Sequence, residues 1–140
     1  MNANDALLTA VATAQTGSTV ADTAPNAPAS ASFDLIIRAA AGSALGSSGA
    51  PYTLTISAID LTVVSQGWPT QTLHQAFDAA NGWELRGAGP DYQCTQTVAV
   101  PVPGGPGGPL AGHTLQCVAS LVSQGAQIAS IIHSDPFVLV

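Results

Sequence analysis

The chain has 140 residues, of which 46% are hydrophobic and only 7% charged, and its formal net charge is -6 at pH 7. Its two basic residues, Arg38 and Arg86, exclude the clustered positive charge that a phosphate backbone or an anionic membrane surface requires. No run of about 20 apolar residues is present to cross a bilayer as a helix, and a chain of this length has enough residues for a core of its own.

Taken in order, Met1 to Leu8 lacks a basic segment and carries Asp5, which predicts no secretory signal. Asp5 to Gln15 reads as a strand, because Thr9, Val11 and Thr13 are β-branched and Leu8, Ala10, Ala12 and Ala14 share one phase. A short helix capped by Asn4 or Asp5 is the alternative. Thr16-Gly17-Ser18 signals a turn, Thr19 to Thr23 a return strand, and Ala24 to Ser32 a linker rich in Ala, Pro and Ser. Residues 1–32 therefore read as an extended arm in front of a domain at 33–140.

Phe33 to Arg38 alternates as a strand, with Phe33, Leu35 and Ile37 on one face. Ala39 to Pro51, with three glycines and three serines, reads as a mobile loop. Tyr52 to Ala58 alternates without a break, and Ile59 to Val64 continues extended with its phase disturbed, as at a bend or bulge. Gln66 to Pro69 reads as a turn, and Thr72 to Asp78 as a strand or one helical turn. Asn81-Gly82 is a hairpin signal ahead of a short strand at Trp83 to Arg86.

Two further alternating runs, Tyr92 to Val100 and Leu115 to Leu121, flank a connector made almost wholly of Gly and Pro, and together they predict a hairpin. Gln127 to His133 forms another strand, Asp135-Pro136 breaks it, and Phe137 to Val140 is an apolar tail. Many short strands separated by turns predict an all-β antiparallel β-sandwich, either immunoglobulin-like or jelly-roll.

Chemistry-bearing residues are sparse. Cys94 and Cys117 fall on the buried phase of their strands and nearly opposite each other in the predicted hairpin, so they form either a disulfide or two buried thiols. His74, His113 and His133 lie at no metal-ligand spacing. His133-Ser134-Asp135 contains the residue types of a hydrolase triad, but adjacent residues on an extended chain point in opposite directions. Asp22, Asp60, Asp78, Asp91 and Asp135 lie near loops without a calcium-loop pattern. Trp68, Trp83 and Tyr92 are core residues by their usual role, with a sugar-stacking platform as the alternative. No catalytic residue, cofactor or metal site is predicted.

The segment Ala6 to Asp22, with its Thr-Gly turn, followed by Phe33-Asp-Leu-Ile-Ile-Arg38, a Gly/Ser-rich loop and Tyr52-Thr-Leu-Thr-Ile-Ser57, resembles small β-sandwich virion proteins of tailed phages, in particular capsid decoration proteins. The resemblance covers about residues 6 to 60. It implies a structural protein on the outer surface of a capsid, with the major capsid protein or sister subunits as partners. On that reading the arm residues Leu7, Leu8, Val11, Thr16 and Val20 make the contacts, and the loops at 42–51 and 101–112 face outward. A secreted or surface-displayed binding module for carbohydrate or protein, and a phage tail accessory protein, are the competing readings.

Overall fold

The computed structural model describes residues 1–25, 30–87 and 91–140, with the backbone alone at 66–69. Among the described residues nine strands build two sheets. They are β1 (Ala6–Ala14), β2 (Ser32–Ala41), β3 (Pro51–Asp60), β4 (Ser65–Ala76), β5 (Glu84–Leu85), β6 (Tyr92–Pro101), β7 (Thr114–Ser123), β8 (Ile128–His133) and β9 (Phe137–Val138). The first sheet has the order β1-β2-β6-β5; the second has the order β4-β3-β7-β8, with β9 also paired to β7. Every pairing is antiparallel. Lettered in chain order, these are the A-B-E-D and C′-C-F-G sheets of an immunoglobulin-like sandwich rather than a jelly-roll.

The alternation read from the sequence builds the core. Phe33, Leu35, Ile37, Cys94 and Val100 point inward from the first sheet, and Tyr52, Leu54, Ile56, Leu115, Cys117 and Leu121 from the second. An aromatic group closes each end. Phe33 meets Phe137 with ring centroids 5.5 Å apart, and at the opposite end Phe77 lies 4.6 Å from Tyr52 and 5.1 Å from Trp83. The Trp83 indole donates to the Tyr52 hydroxyl at 3.1 Å, which satisfies the polar atom that its burial would otherwise leave unpaired.

The predicted hairpin does not form. β6 and β7 are strands, but β6 pairs with β2 and β5 while β7 pairs with β3, β8 and β9. A two-residue turn would fix the strands as neighbours, whereas the 102–113 connector is long enough to cross the roughly 10 Å between stacked sheets. It is a chain of tight turns, with Gly105 N–H donating to Val102, Gly108 to Gly105 and Ala111 to Gly108. Val102, its first residue, is buried.

The disulfide expectation falls with the hairpin. Both thiols are free and buried, and they stand on different sheets. Cys94 faces Leu54 and Leu121 across a small cavity, while Cys117 lies four residues along β7 from Leu121, roughly 13 Å at about 3.3 Å per residue. Bridged cysteines need Cα atoms within about 7 Å. Cys117 stands on the F-equivalent strand, where antibody domains place one half of their disulfide, but the B-equivalent β2 has no cysteine to meet it.

The division into an arm at 1–32 and a domain at 33–140 is also corrected. β1 is an edge strand of the first sheet and contributes Ala6, Leu8 and Val11 to the core. A bulge between Leu8 and Ala10 shifts its phase, so that Val11 turns inward where the single phase of the sequence pointed to Ala10 and Ala12. Residues 15–25 contain no return strand. They wrap back on the sandwich, with Gly17 N–H donating to the Asp34 carboxylate at 2.9 Å and Val138 N–H to the Thr23 carbonyl at 2.8 Å.

Three local readings change for related reasons. The 42–50 loop is packed rather than mobile: Leu45 enters the core, and Gly42 lies so close to Asn2 and Ala3 that a Cβ would overlap their backbone. Gln66 to Pro69 belongs to β4, which runs on through Ala76. Asn81-Gly82 closes a single 3-10 turn capped by Asp78, not a hairpin, because the strands on either side enter different sheets. The C-terminal segment is no free tail, since Phe137 and Leu139 are buried.

Candidate interaction surface

The β3–β4 turn projects from the end of the sandwich where the 102–113 crossover also lies. Its base is Asp60, whose buried carboxylate accepts from Thr62 N–H at 2.9 Å and Val63 N–H at 3.4 Å. The second carboxylate oxygen meets His113 Nδ1 at 2.6 Å. Leu61 N–H donates to the Thr114 carbonyl, and Thr114 N–H to the Thr62 hydroxyl. The turn is thus fastened to the start of β7. The hydrogen bond from His113, joined by those from Thr62 and Val63, holds the Asp60 carboxyl below its usual range against the opposing effect of desolvation.

Beyond this base three apolar side chains of the turn face solvent. Leu61 is 41% exposed, Val63 57% and Val64 86%. Val64 has φ +52, a left-handed conformation that a β-branched residue rarely adopts. Neighbouring Ile59 is also exposed, and an open depression of about 340 Å³ runs from Ser57 and Ile59 to Val64 and Thr70.

The outer face of the second sheet continues from this turn. Its rows, set by the register, run His74, Thr53, Val122 and Ala129, then Thr72, Thr55, Ser120 and Ile131, then Ser57, Val118 and His133. None of these positions carries Asp, Glu, Lys or Arg, although the chain has ten such residues (two basic and eight acidic). Hydroxyls dominate, interrupted by exposed Ile131 and Val122.

The residues singled out in the sequence divide. Leu8 and Val11 are buried in the sandwich and unavailable to an outside partner; Leu7 and Val20 are exposed, and the Thr16 hydroxyl donates to the Ser32 carbonyl. Leu7, Thr16 and Val20 therefore form no continuous contact arm with Leu8 and Val11. Trp83 is core and Tyr92 packs against it, while the Trp68 side chain lies outside the described residues. His133-Ser134-Asp135 makes no relay, because the Ser134 hydroxyl accepts from Cys117 N–H and donates to the Asp135 carbonyl. Burial pushes the Cys117 thiol up to about 12 and raises that of Cys94, so neither is an activated nucleophile. Among the described residues no cluster of three or more His, Cys, Asp or Glu has metal-binding geometry.

The disturbed phase at Ile59 to Val64 marks a bend or bulge in the sequence, and the structure makes 61–64 a turn between strands. The signal that marks it is Asp60, an acid at the end of an apolar alternating run, where its carboxylate caps the N–H groups two and three residues on, those of Thr62 and Val63.

The fold and this surface define an immunoglobulin-like β-sandwich with one uncharged sheet face and an apolar turn at its end. No protein-family model matches the sequence, and no curated protein matches it. Among solved structures it is similar to a glycosyl hydrolase family 2 member from Bacteroides cellulosilyticus DSM 14838, at 10% identity and a TM-score of 0.38. That match covers 94% of this chain and 14% of the other, so the chain spans about one-seventh of the length of that enzyme. At this score the similarity carries no functional argument.

Proposed function

We propose that the chain is a non-catalytic docking module of a tailed-phage particle, a capsid decoration protein that binds the outer surface of the shell through the 61–64 turn and the uncharged face behind it. The observation that carries this reading is the solvent-exposed Leu61, Val63 and Val64 on a turn rigidly fastened by Asp60 and His113. Exposed apolar patches on an otherwise polar surface mark sites of association, and backbone strain of the kind at Val64 concentrates at such sites. The phage context rests on the sequence cadence of residues 6 to 60. The role of the former arm is reassigned, since β1 is needed for the sandwich itself.

The free, widely separated thiols remove the oxidised pair that a secreted module would have called for. Several of the histidines and aspartates near loops have structural partners: Asp60 and His113 meet each other, Asp78 caps the 3-10 turn, and Asp22 accepts from Gln15 and from Ala24 N–H.

The test is gradient sedimentation of particles from the source, with mass spectrometry of the fractions, followed by rebinding of the purified chain to stripped particles. Co-migration at shell copy number is expected, and Val63→Asp with Val64→Asp should weaken rebinding at least about tenfold, as expected when apolar anchors are replaced by charge. Absence from particles overturns the phage reading, and a copy number of a few places the chain on the tail. Rebinding unchanged by the two substitutions overturns the role of the turn.

A further inference from the structure

Among the described residues the sandwich has four sheet edges, formed by β1, by β8, by β5 with the part of β6 that it leaves uncovered, and by β4. β1 and β8, the edges on one side, pack against each other, with Leu8 N–H donating to the Ser130 hydroxyl at 2.9 Å. On the other side, β5 is two residues long, ends in the Glu84–Arg86 ion pair and covers only Tyr92 and Gln93 of β6. Short edges and charged side chains are the ordinary devices that prevent one sheet from adding to another. β4 has neither. It is twelve residues long, it carries no charge, and among the described residues it pairs only with β3. Its proline lies at position 69, and from Gln71 to Ala76 the register with β3 is unbroken by any bulge. The alternate N–H and C=O groups of residues 70–76 therefore form an open template for another strand.

We infer that a second copy of this chain occupies the β4 edge, pairing antiparallel about a two-fold axis at Leu73 to join the two C′-C-F-G sheets into one. The inference does not depend on the phage reading. Two features favour a second copy. Each chain has a net charge of -6, so two copies repel unless they meet along an uncharged surface, and β4 and the sheet face beside it offer one. The segment Gln71-Thr72-Leu73-His74-Gln75 is also close to symmetric about Leu73. A two-fold axis there sets Leu73 opposite its own copy, each Thr72 opposite the other His74, and uncharged residue opposite uncharged residue throughout. Isologous contacts of this kind close after two subunits. The pairing leaves the 61–64 turn free, since it lies before the start of β4.

Thr72 and His74 are exposed on the outer face, so charge placed there tests the pairing without touching the core. Sedimentation equilibrium of the full chain should give a dimer. Thr72→Lys with His74→Lys should weaken self-association about tenfold or more, because like charges then stand directly opposite. Thr72→Glu with His74→Glu should do the same, and mixing the two variants should restore a dimer containing one copy of each. Melting temperatures by circular dichroism should remain close to the parent, which separates loss of pairing from loss of fold. A parent chain that is monomeric into the millimolar range overturns the inference. So does a dimer that survives both substitutions, or variants that fail to pair on mixing. Amide protection at 70–76 that arises only on particles would assign the edge to a strand of the shell instead.

Discussion

Val64 shows how one residue carries a local backbone cost while its side chain faces solvent. Its left-handed backbone costs an L-residue about 1–2 kcal/mol, and its largely exposed side chain recovers little of this by burial. The turn keeps this conformation because Asp60 fixes the two preceding N–H groups and His113 fixes Asp60. Asparagine tolerates the left-handed region far better than valine. Val64→Asn should therefore raise the urea midpoint, by about 1 kcal/mol of stability, while weakening docking. A lowered midpoint would mean that the valine side chain makes a stabilising contact in the folded state. Gln127, with φ +56 in the β7–β8 turn, is the other described non-glycine in this region.

At the scale of elements, β1 joins what the sequence divides. The Ala/Thr-rich stretch looks like an arm because its small residues make a weak pattern, and the bulge after Leu8 breaks even that pattern. Once β2 offers its edge, Leu8 and Val11 find buried positions, and residues 2–5 seat against Gly42, Ala44 and Leu45. Deleting residues 2–14 should cost about 5 kcal/mol, taking ~1.5–3 kcal/mol for each buried aliphatic side chain lost with the strand. The expected signs are a steep fall in melting temperature and binding of a hydrophobic dye. A truncated chain that melts like the parent would restore β1 as a dispensable arm. The 102–113 connector gives the complementary lesson: the runs that flank it were legible as strands, but which strands they join was not.

Across the whole molecule, the Asp60–His113 contact ties the β3–β4 turn to the crossover between sheets, so its protonation bears on the stability of the entire sandwich. The folded-state pKa of Asp60 is depressed, so its contribution is fully present above the ordinary aspartate range. It is lost as pH falls through the lower, folded-state value. Denaturation midpoints measured down the acid range should show this loss in the parent, and Asp60→Asn should lack that step and start from a lower plateau at neutral pH. Parallel pH profiles for the two chains would show that the contact contributes nothing.

The sequence by itself determined the all-β class, most of the strands and the inward phase of Phe33, Leu35, Tyr52, Leu54, Cys94 and Cys117, because alternation along a strand is a local property of side-chain direction. Only the tertiary structure decided which strands are neighbours, that Cys94 and Cys117 stand at different levels of the core, and that the charged residues avoid the outer face of the second sheet. Those are long-range facts. They follow from how the connectors cross between two stacked sheets, and a 12-residue connector rich in glycine and proline restricts its ends too little to reveal the crossing in advance.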